Sequence, residues 1–212
     1  MEQLLSEYLR PKSFNELCIP DENRERLELM FNKGRVMNML FHGKPGTGKT
    51  SSGLIFSNSD KFDTKIINGS LETGVDEVRT SVKHFCYSMS LEPDKQKIVF
   101  IDESDYLSPN SQSGLRKIIE DSSDNCRFIF TCNDLKKIQP PLQSRLLVLN
   151  FDVTPSGIKS SLGHYKKRVI DKLVERYGEV DVDRVNYIIN YYFPDYRTIS
   201  NQLEYEFLLN TP

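Results

Sequence analysis

The 212-residue chain is short of the residues that hold metals or staple small folds: four cysteines, three histidines and no tryptophan. Cys18, Cys86, Cys126 and Cys132 form no C-x-x-C pair, and His42, His84 and His164 are scattered. That spacing argues against a zinc site and for four reduced, mostly buried thiols. Long apolar runs are also missing. The longest are strand-sized, so no segment is expected to span a bilayer. The start, Met1-Glu2-Gln3-Leu4-Leu5-Ser6-Glu7, lacks the basic opening and apolar stretch of a secretion signal, so a cytoplasmic location is expected. Charge of one sign is not in excess: the net value is −2, which leaves no global field to draw the chain onto nucleic acid. Any such contact would need a local basic surface. Internal repeats and low-complexity stretches are absent. What remains, 38% hydrophobic and 27% charged, is ordinary globular composition, long enough for one full core plus a small second domain.

The most informative segment is Gly43-Lys44-Pro45-Gly46-Thr47-Gly48-Lys49-Thr50, a complete G-x-x-x-x-G-K-[ST] loop. A phosphate chain is bound best by a loop that turns several backbone N–H groups inward, and Gly43, Gly46 and Gly48 permit that turn. Lys49 is placed to reach the β- and γ-phosphates and the Thr50 hydroxyl to ligate Mg²⁺. Pro45, Thr47 and Ser51 complete the expected nucleotide-binding set. Val36 to Phe41 before the loop reads as a buried strand, and Thr50 to Asn58 after it as a helix aimed at the phosphates.

Four more strands are predicted: Thr64–Asn68, Lys97–Ile101, Arg127–Thr131 and Leu146–Asn150, each short, apolar and rich in β-branched or aromatic residues. Helical segments near 51–58, 74–89, 110–121 and 140–145 fall among them. Alternation of this kind predicts an α/β fold, a five-stranded parallel sheet with helices on both faces and ligand at the carboxyl ends of its strands. After Phe151 only helical periodicity remains. Thr154-Pro155 is a helix start, and helices are expected near 156–177, 182–192 and 195–209, broken at Tyr177-Gly178 and Phe193-Pro194. The expected division is therefore an α/β domain over 1–152 and a small all-helical one over 153–212.

Lys97 to Ile101 is an apolar strand that delivers Asp102 and Glu103 to its end. Beside a phosphate loop, Asp102 suits a Mg²⁺ ligand and Glu103 a base that orients and deprotonates an attacking water. A solvated Asp-Glu turn is the plain alternative, and the phosphate loop argues against it. Phe128 to Cys132 is a second apolar strand, ending in Asn133, whose amide suits a water or a γ-phosphate. Asn is equally an ordinary turn residue after a strand.

Together these residues resemble the AAA+ ATPases, and more narrowly the clamp-loader ATPase subunits of DNA replication. Glu7 to Leu17 looks like that family's Tyr-x-Arg-Pro box, and Asn68-Gly69-Ser70 with Gly74 to Arg79 is similar to its second-strand segment. Asp102-Glu103-Ser104-Asp105 stands where the family has Asp-Glu-Ala-Asp, and Leu142-Gln143-Ser144-Arg145 matches the start of its Ser-Arg-Cys signature. Phe193-Pro194-Asp195-Tyr196-Arg197 resembles its last motif, closest to the clamp loaders of tailed phages. The resemblance runs from about residue 5 to residue 207.

The resemblance implies ATP and Mg²⁺ as cofactors, with Arg145 as an arginine finger acting on a neighbour and Arg197 as a sensor of γ-phosphate in cis. Arg10 and the Leu17-Cys18-Ile19-Pro20 stretch would line the adenine pocket. It implies a ring or spiral with other clamp-loader subunits, a sliding clamp and primer–template DNA as partners, and the host cytoplasm if the chain is phage-encoded. Arg79, Lys83, Arg116 and Lys117 would face DNA phosphates, although a solvated basic face explains them equally well. Leu146 replaces the signature's cysteine, one buried apolar residue for another. The family's helical collar has no counterpart before Pro212, so weak association alone is expected. Another AAA+ DNA motor or helicase loader, or a nucleotide-switched scaffold with little hydrolysis, remain as alternatives.

Overall fold

A computed structural model describes residues 3–71, 75–88, 94–153 and 159–210. Five strands, β1 (Met39–His42), β2 (Phe62–Asn68), β3 (Gln96–Asp102), β4 (Cys126–Cys132) and β5 (Leu147–Asn150), form one sheet in the order β2-β3-β4-β1-β5. Every pairing is parallel, with Leu40 of β1 opposite Phe130 of β4 on one side and Val148 of β5 on the other. Parallel neighbours need crossovers. Three helices supply them: α3 (Lys49–Ser57), α4 (Val75–Tyr87) and α5 (Pro109–Asp121), while the short α6 (Pro140–Gln143) leads into β5.

Strand periodicity sorts the core onto two faces. Ile98, Phe100 and Ile129 pack with Phe14, Leu27 and Phe56, whereas Val99, Ile101, Phe128 and Phe130 pack with Val82, Leu115 and Ile118. A helix covering each face explains why these strands read as continuous apolar runs. The sequence pattern does not reveal one covering element, α2 (Asp21–Asn32), which follows the short α1 (Leu5–Tyr8). Eight of its twelve residues are polar or charged, and it buries only Asn23 and Leu27 fully. Its Phe31 completes an edge-to-face aromatic cluster with Phe14 and Phe56, at centroid distances of 5.3 and 5.8 Å.

Beyond the sheet, α7 (Lys159–Tyr177), α8 (Val182–Tyr192) and α9 (Tyr196–Asn210) enclose a separate core of Val169, Leu173, Ile188, Ile189, Ile199 and Leu203. The expected helix start at Thr154-Pro155 lies outside the described residues. The boundary expected at 152 needs amendment for packing, because the N-terminal segment belongs to the helical layer. Leu5, Leu9 and Cys18 are buried in that second core. The Leu5 N–H donates to Glu204 Oε1 at 3.2 Å, and Arg168 donates to the Leu9 carbonyl and to Glu16, each at 3.1 Å. Sequence order could not reveal this, since the contacts join the two ends of the chain. Among the described residues, no helix is long and apolar enough to cross a membrane.

Candidate nucleotide site

Strand β1 ends at His42, and the chain turns through the glycine loop into α3 at Lys49. Gly46 and Gly48 sit at φ +77° and +93°, left-handed values that a side chain resists. Gly46 has a second reason to be glycine: a Cβ there would lie 2.1 Å from Asp195 Oδ1 of the helical layer. Lys49 is only 6% exposed, and its ammonium donates to the Gly43 and Lys44 carbonyls at 2.7 Å each. Burial lowers the Lys49 pKa, an effect opposed by nearby acidic groups that include Asp152, Asp102 and Asp105. Among the described residues, the backbone N–H groups of Gly46 through Ser51 have no protein acceptor. A row of free donors at a helix N-terminus above a buried cation is a fitting bed for phosphate.

The carboxyl ends of β3 and β4 face this loop. Asp102 Oδ1 accepts from Thr50 Oγ1 at 2.9 Å and also from the Thr131 hydroxyl, so the loop and both strands meet at one carboxylate. Glu103 stands at φ +55°, the only non-glycine residue with positive φ among those described. Such a conformation costs about 1–3 kcal/mol and persists only where the surroundings impose it. Here the Glu103 N–H donates to Thr131 Oγ1 at 3.0 Å, and Gly69 passes so close that a Cβ would lie 2.7 Å from the Glu103 carbonyl oxygen. Asp105 is nine-tenths buried and accepts from the Asn133 and Asp134 N–H groups at 3.2 and 3.4 Å, fixing the turn that carries Asn133. Burial, followed by the nearby Asp105 charge, pushes the Cys132 thiol up to about 12, so it stays protonated and inert at neutral pH.

A cavity of about 400 Å³ opens over these groups. Its walls include Pro45 to Ser51, Asp102, Glu103 and Asn133, with Arg10, Leu17, Tyr165, Arg168, Tyr196 and Arg197 on the far side. Among the expected residues, Arg10 reaches the wall but pairs there with Glu7, and Arg197 reaches it exposed. Ile19 is placed differently from expectation: fully buried, it supports the loop from below, 3.3 Å from where a Gly48 Cβ would stand. Gly43 likewise serves the turn and holds Lys49 without facing the cavity. Sequence reasoning missed Thr131, Gly69 as a close-approach residue, Tyr165, Arg168 and Tyr196. Thr131 lies near the end of β4, two residues before Asn133, which was the available signal. Gly69 and Tyr196 stand inside motif segments already noted, without a role of their own, whereas Tyr165 and Arg168 come from a remote helix and left no signal.

Four arginine and lysine candidates lie elsewhere. Arg79 and Lys83 share one exposed face of α4, and the Arg79 side chain rests 3.3 Å from a would-be Cβ of Gly114 on α5. The helix carrying Arg116 and Lys117 is thus its direct neighbour. Arg145 is not on the cavity wall. It follows α6 at the domain surface and pairs with Glu120 at the end of α5, also donating to the Pro141 carbonyl.

A parallel sheet with a glycine loop after its first strand and paired carboxylates two places across defines a P-loop nucleotide-binding protein. A family model described as the ATPase family associated with various cellular activities (AAA) matches residues 39–151, and the chain belongs to this family. Curated relatives include the replication factor C small subunit of Thermoplasma acidophilum, 32% identical over 96% of this chain and 64% of the relative. That of Archaeoglobus fulgidus is 31% identical over 93% and 62%. The chain therefore spans a little under two thirds of these relatives' length. Solved structures with the same fold include the Thermotoga maritima RuvB Holliday junction branch migration motor, at TM-score 0.60 and 21% identity over 93% of this chain and 72% of that one. The Aeropyrum pernix Orc1 protein in complex with DNA aligns at TM-score 0.64 and 17% identity, over 94% and 62%.

Proposed function

We propose that the chain is an ATP-hydrolysing subunit of a DNA-replication clamp loader, which opens a sliding clamp and places it on primer–template DNA. The observation that carries this reading is the split of the charged groups. Lys49, Asp102, Glu103 and Arg197 converge on one cavity, with the neutral Asn133 amide beside them, while Arg145 stands outside it at the surface, paired with Glu120, a placement that suits service to a neighbouring subunit's nucleotide. The replication factor C relatives supply the biological context.

In this reading Lys49 and the loop amides hold the phosphates, and the base lies toward Arg10, Leu17 and Tyr165. Thr50 and Asp102, with oxygens 2.9 Å apart, are the donors that suit Mg²⁺. That ion supplies neutralisation of charge on the phosphate oxygens. Glu103 orients the attacking water and accepts its proton, and the Asn133 amide holds that water in line. Arg197 contacts the γ-phosphate in cis, and Arg145 completes the neighbour's site in trans, a contribution of about 10³–10⁵ in rate for known fingers. Residues 1–152 act as the catalytic unit and 153–212 as its lid, with Leu5, Leu9 and Cys18 of the first seated in the core of the second. Arg79, Lys83, Arg116 and Lys117 lie on adjacent helices and are assigned to DNA phosphates. Steady-state phosphate release with and without primed DNA and sliding clamp is the test. Turnover stimulated by both together is expected, and turnover indifferent to both would leave an ATPase with another role.

A further inference from the structure

Tyr196 has no part in the steps above, yet it touches both the phosphate loop and the Cys18 segment of the cavity wall. It opens α9, one residue before Arg197. Its backbone N–H donates to the Gly46 carbonyl at 3.1 Å, which ties the lid to the phosphate loop. Its hydroxyl donates to the Cys18 carbonyl, in the segment at the base end of the cavity. Its ring packs on Tyr165 and Phe193, at centroid distances of 4.9 and 5.9 Å, and its edge lies 4.0 Å from where a Gly48 Cβ would stand. Asp195, just before it, accepts from the Arg197 and Thr198 N–H groups at 3.1 and 3.0 Å and so fixes the first turn of the helix.

We infer that Tyr196 is a positioning residue that clasps the lid to the phosphate loop and to the base-binding segment, and so sets where Arg197 stands. The inference rests on the proposed reading of the cavity as an ATP site. Ring packing alone asks only for an aromatic residue, since phenylalanine fills the same space against Tyr165 and Phe193. The hydroxyl bonds to the Cys18 carbonyl, and that bond joins two segments of the cavity wall that are far apart in sequence. Burial raises the phenol pKa, so the group remains a donor throughout the neutral range. Because Arg197 follows by one residue on a helix whose first turn is capped, a shift of Tyr196 moves the guanidinium with it.

Tyr196→Phe isolates the hydroxyl while keeping the ring. A fluorescent ATP analogue is titrated against wild type, Tyr196→Phe, Arg197→Ala and the double variant, and amide hydrogen exchange at the start of α9 is followed without nucleotide. Losing one neutral hydrogen bond predicts roughly a three- to tenfold weaker affinity, and faster exchange at Tyr196 and Arg197. The double variant should lose less than the product of the single losses, because Tyr196 acts partly through Arg197. Wild-type affinity and exchange in Tyr196→Phe, or strictly multiplicative losses, overturn the inference while leaving ATP binding intact. A wild-type chain that fails to bind the analogue sinks the ATP-site reading and this inference together.

Discussion

At the scale of single residues the site, in the proposed reading, separates holding from reacting. Lys49 is buried under the phosphate loop, so Lys49→Ala should abolish tight ATP binding. Glu103 lies at the rim of the loop with its backbone already constrained, and Glu103→Gln should keep binding while stopping hydrolysis. Titration of a labelled nucleotide and single-turnover phosphate release distinguish the two; equal affinity losses would refute the division of roles. His42, the last residue of β1, makes a separate prediction about stability. Burial lowers its pKa below the usual 6.5, with Asp152 opposing and Lys49 adding to the effect. The unfolded chain then binds this proton more readily than the folded one. Stability is full above about pH 6.5 and declines as pH falls from there toward the lower folded value. Urea midpoints measured from pH 7.5 downward should fall less steeply for His42→Gln than for wild type.

At the scale of elements the sheet and its first helix are fitted with no room to spare. A Cβ on Gly53 of α3 would lie 2.3 Å from the ring of Phe100 on β3, and that ring is itself fully buried. Alanine gains about 1 kcal/mol over glycine in a helix interior, but overpacking costs about 1–3 kcal/mol. Since Phe100 has core on all sides, the clash should win. Gly53→Ala is expected to lower the unfolding free energy by up to about 2 kcal/mol, read from the urea midpoint. A more stable variant would mean that α3 rides further from the sheet. The same tightness explains why the loop is held so firmly: α3, β3 and β4 meet at Thr50, Asp102 and Thr131, so the hydroxyls and the carboxylate are placed by strand and helix rather than by a mobile turn.

At the scale of the whole molecule Arg145 is the residue on which the proposed reading turns. Its partner Glu120 is half-exposed, and a surface pair of this kind is worth only about 0–1 kcal/mol, so a neighbour's phosphates can displace it. Arg145→Ala should leave the chain's own ATP affinity nearly intact, yet lower hydrolysis in an assembly by about 10³–10⁵. Mixing Arg145→Ala with Glu103→Gln should restore part of the activity, since some interfaces then receive both missing groups. Co-assembly without any restoration would show that the arginine acts in cis or only structurally. Turnover per chain should also rise with protein concentration, checked alongside light scattering, and fast hydrolysis by a monomer would count against a trans finger.

Local chemistry makes much of this protein legible in its amino-acid sequence alone. The five strands, the phosphate loop, Asp102-Glu103 and the helical tail after Phe151 each depend on short-range pattern: short apolar runs, glycine where φ must be positive, carboxylates at a strand end. Helix α2 escapes because it is mostly charged, and only packing against Phe14 and Phe56 makes it an element of the core. Strand order, β2-β3-β4-β1-β5, is a matter of which edges pair, and it is this order that brings Thr131 and Asn133 beside Asp102. The docking of Leu5 and Leu9 into the helical layer, and the reach of Tyr196 from residue 196 to the carbonyl of Cys18, join distant parts of the chain. Periodicity reports which face of an element is apolar but not which other element will cover it, so those contacts were decided only when the chain closed on itself.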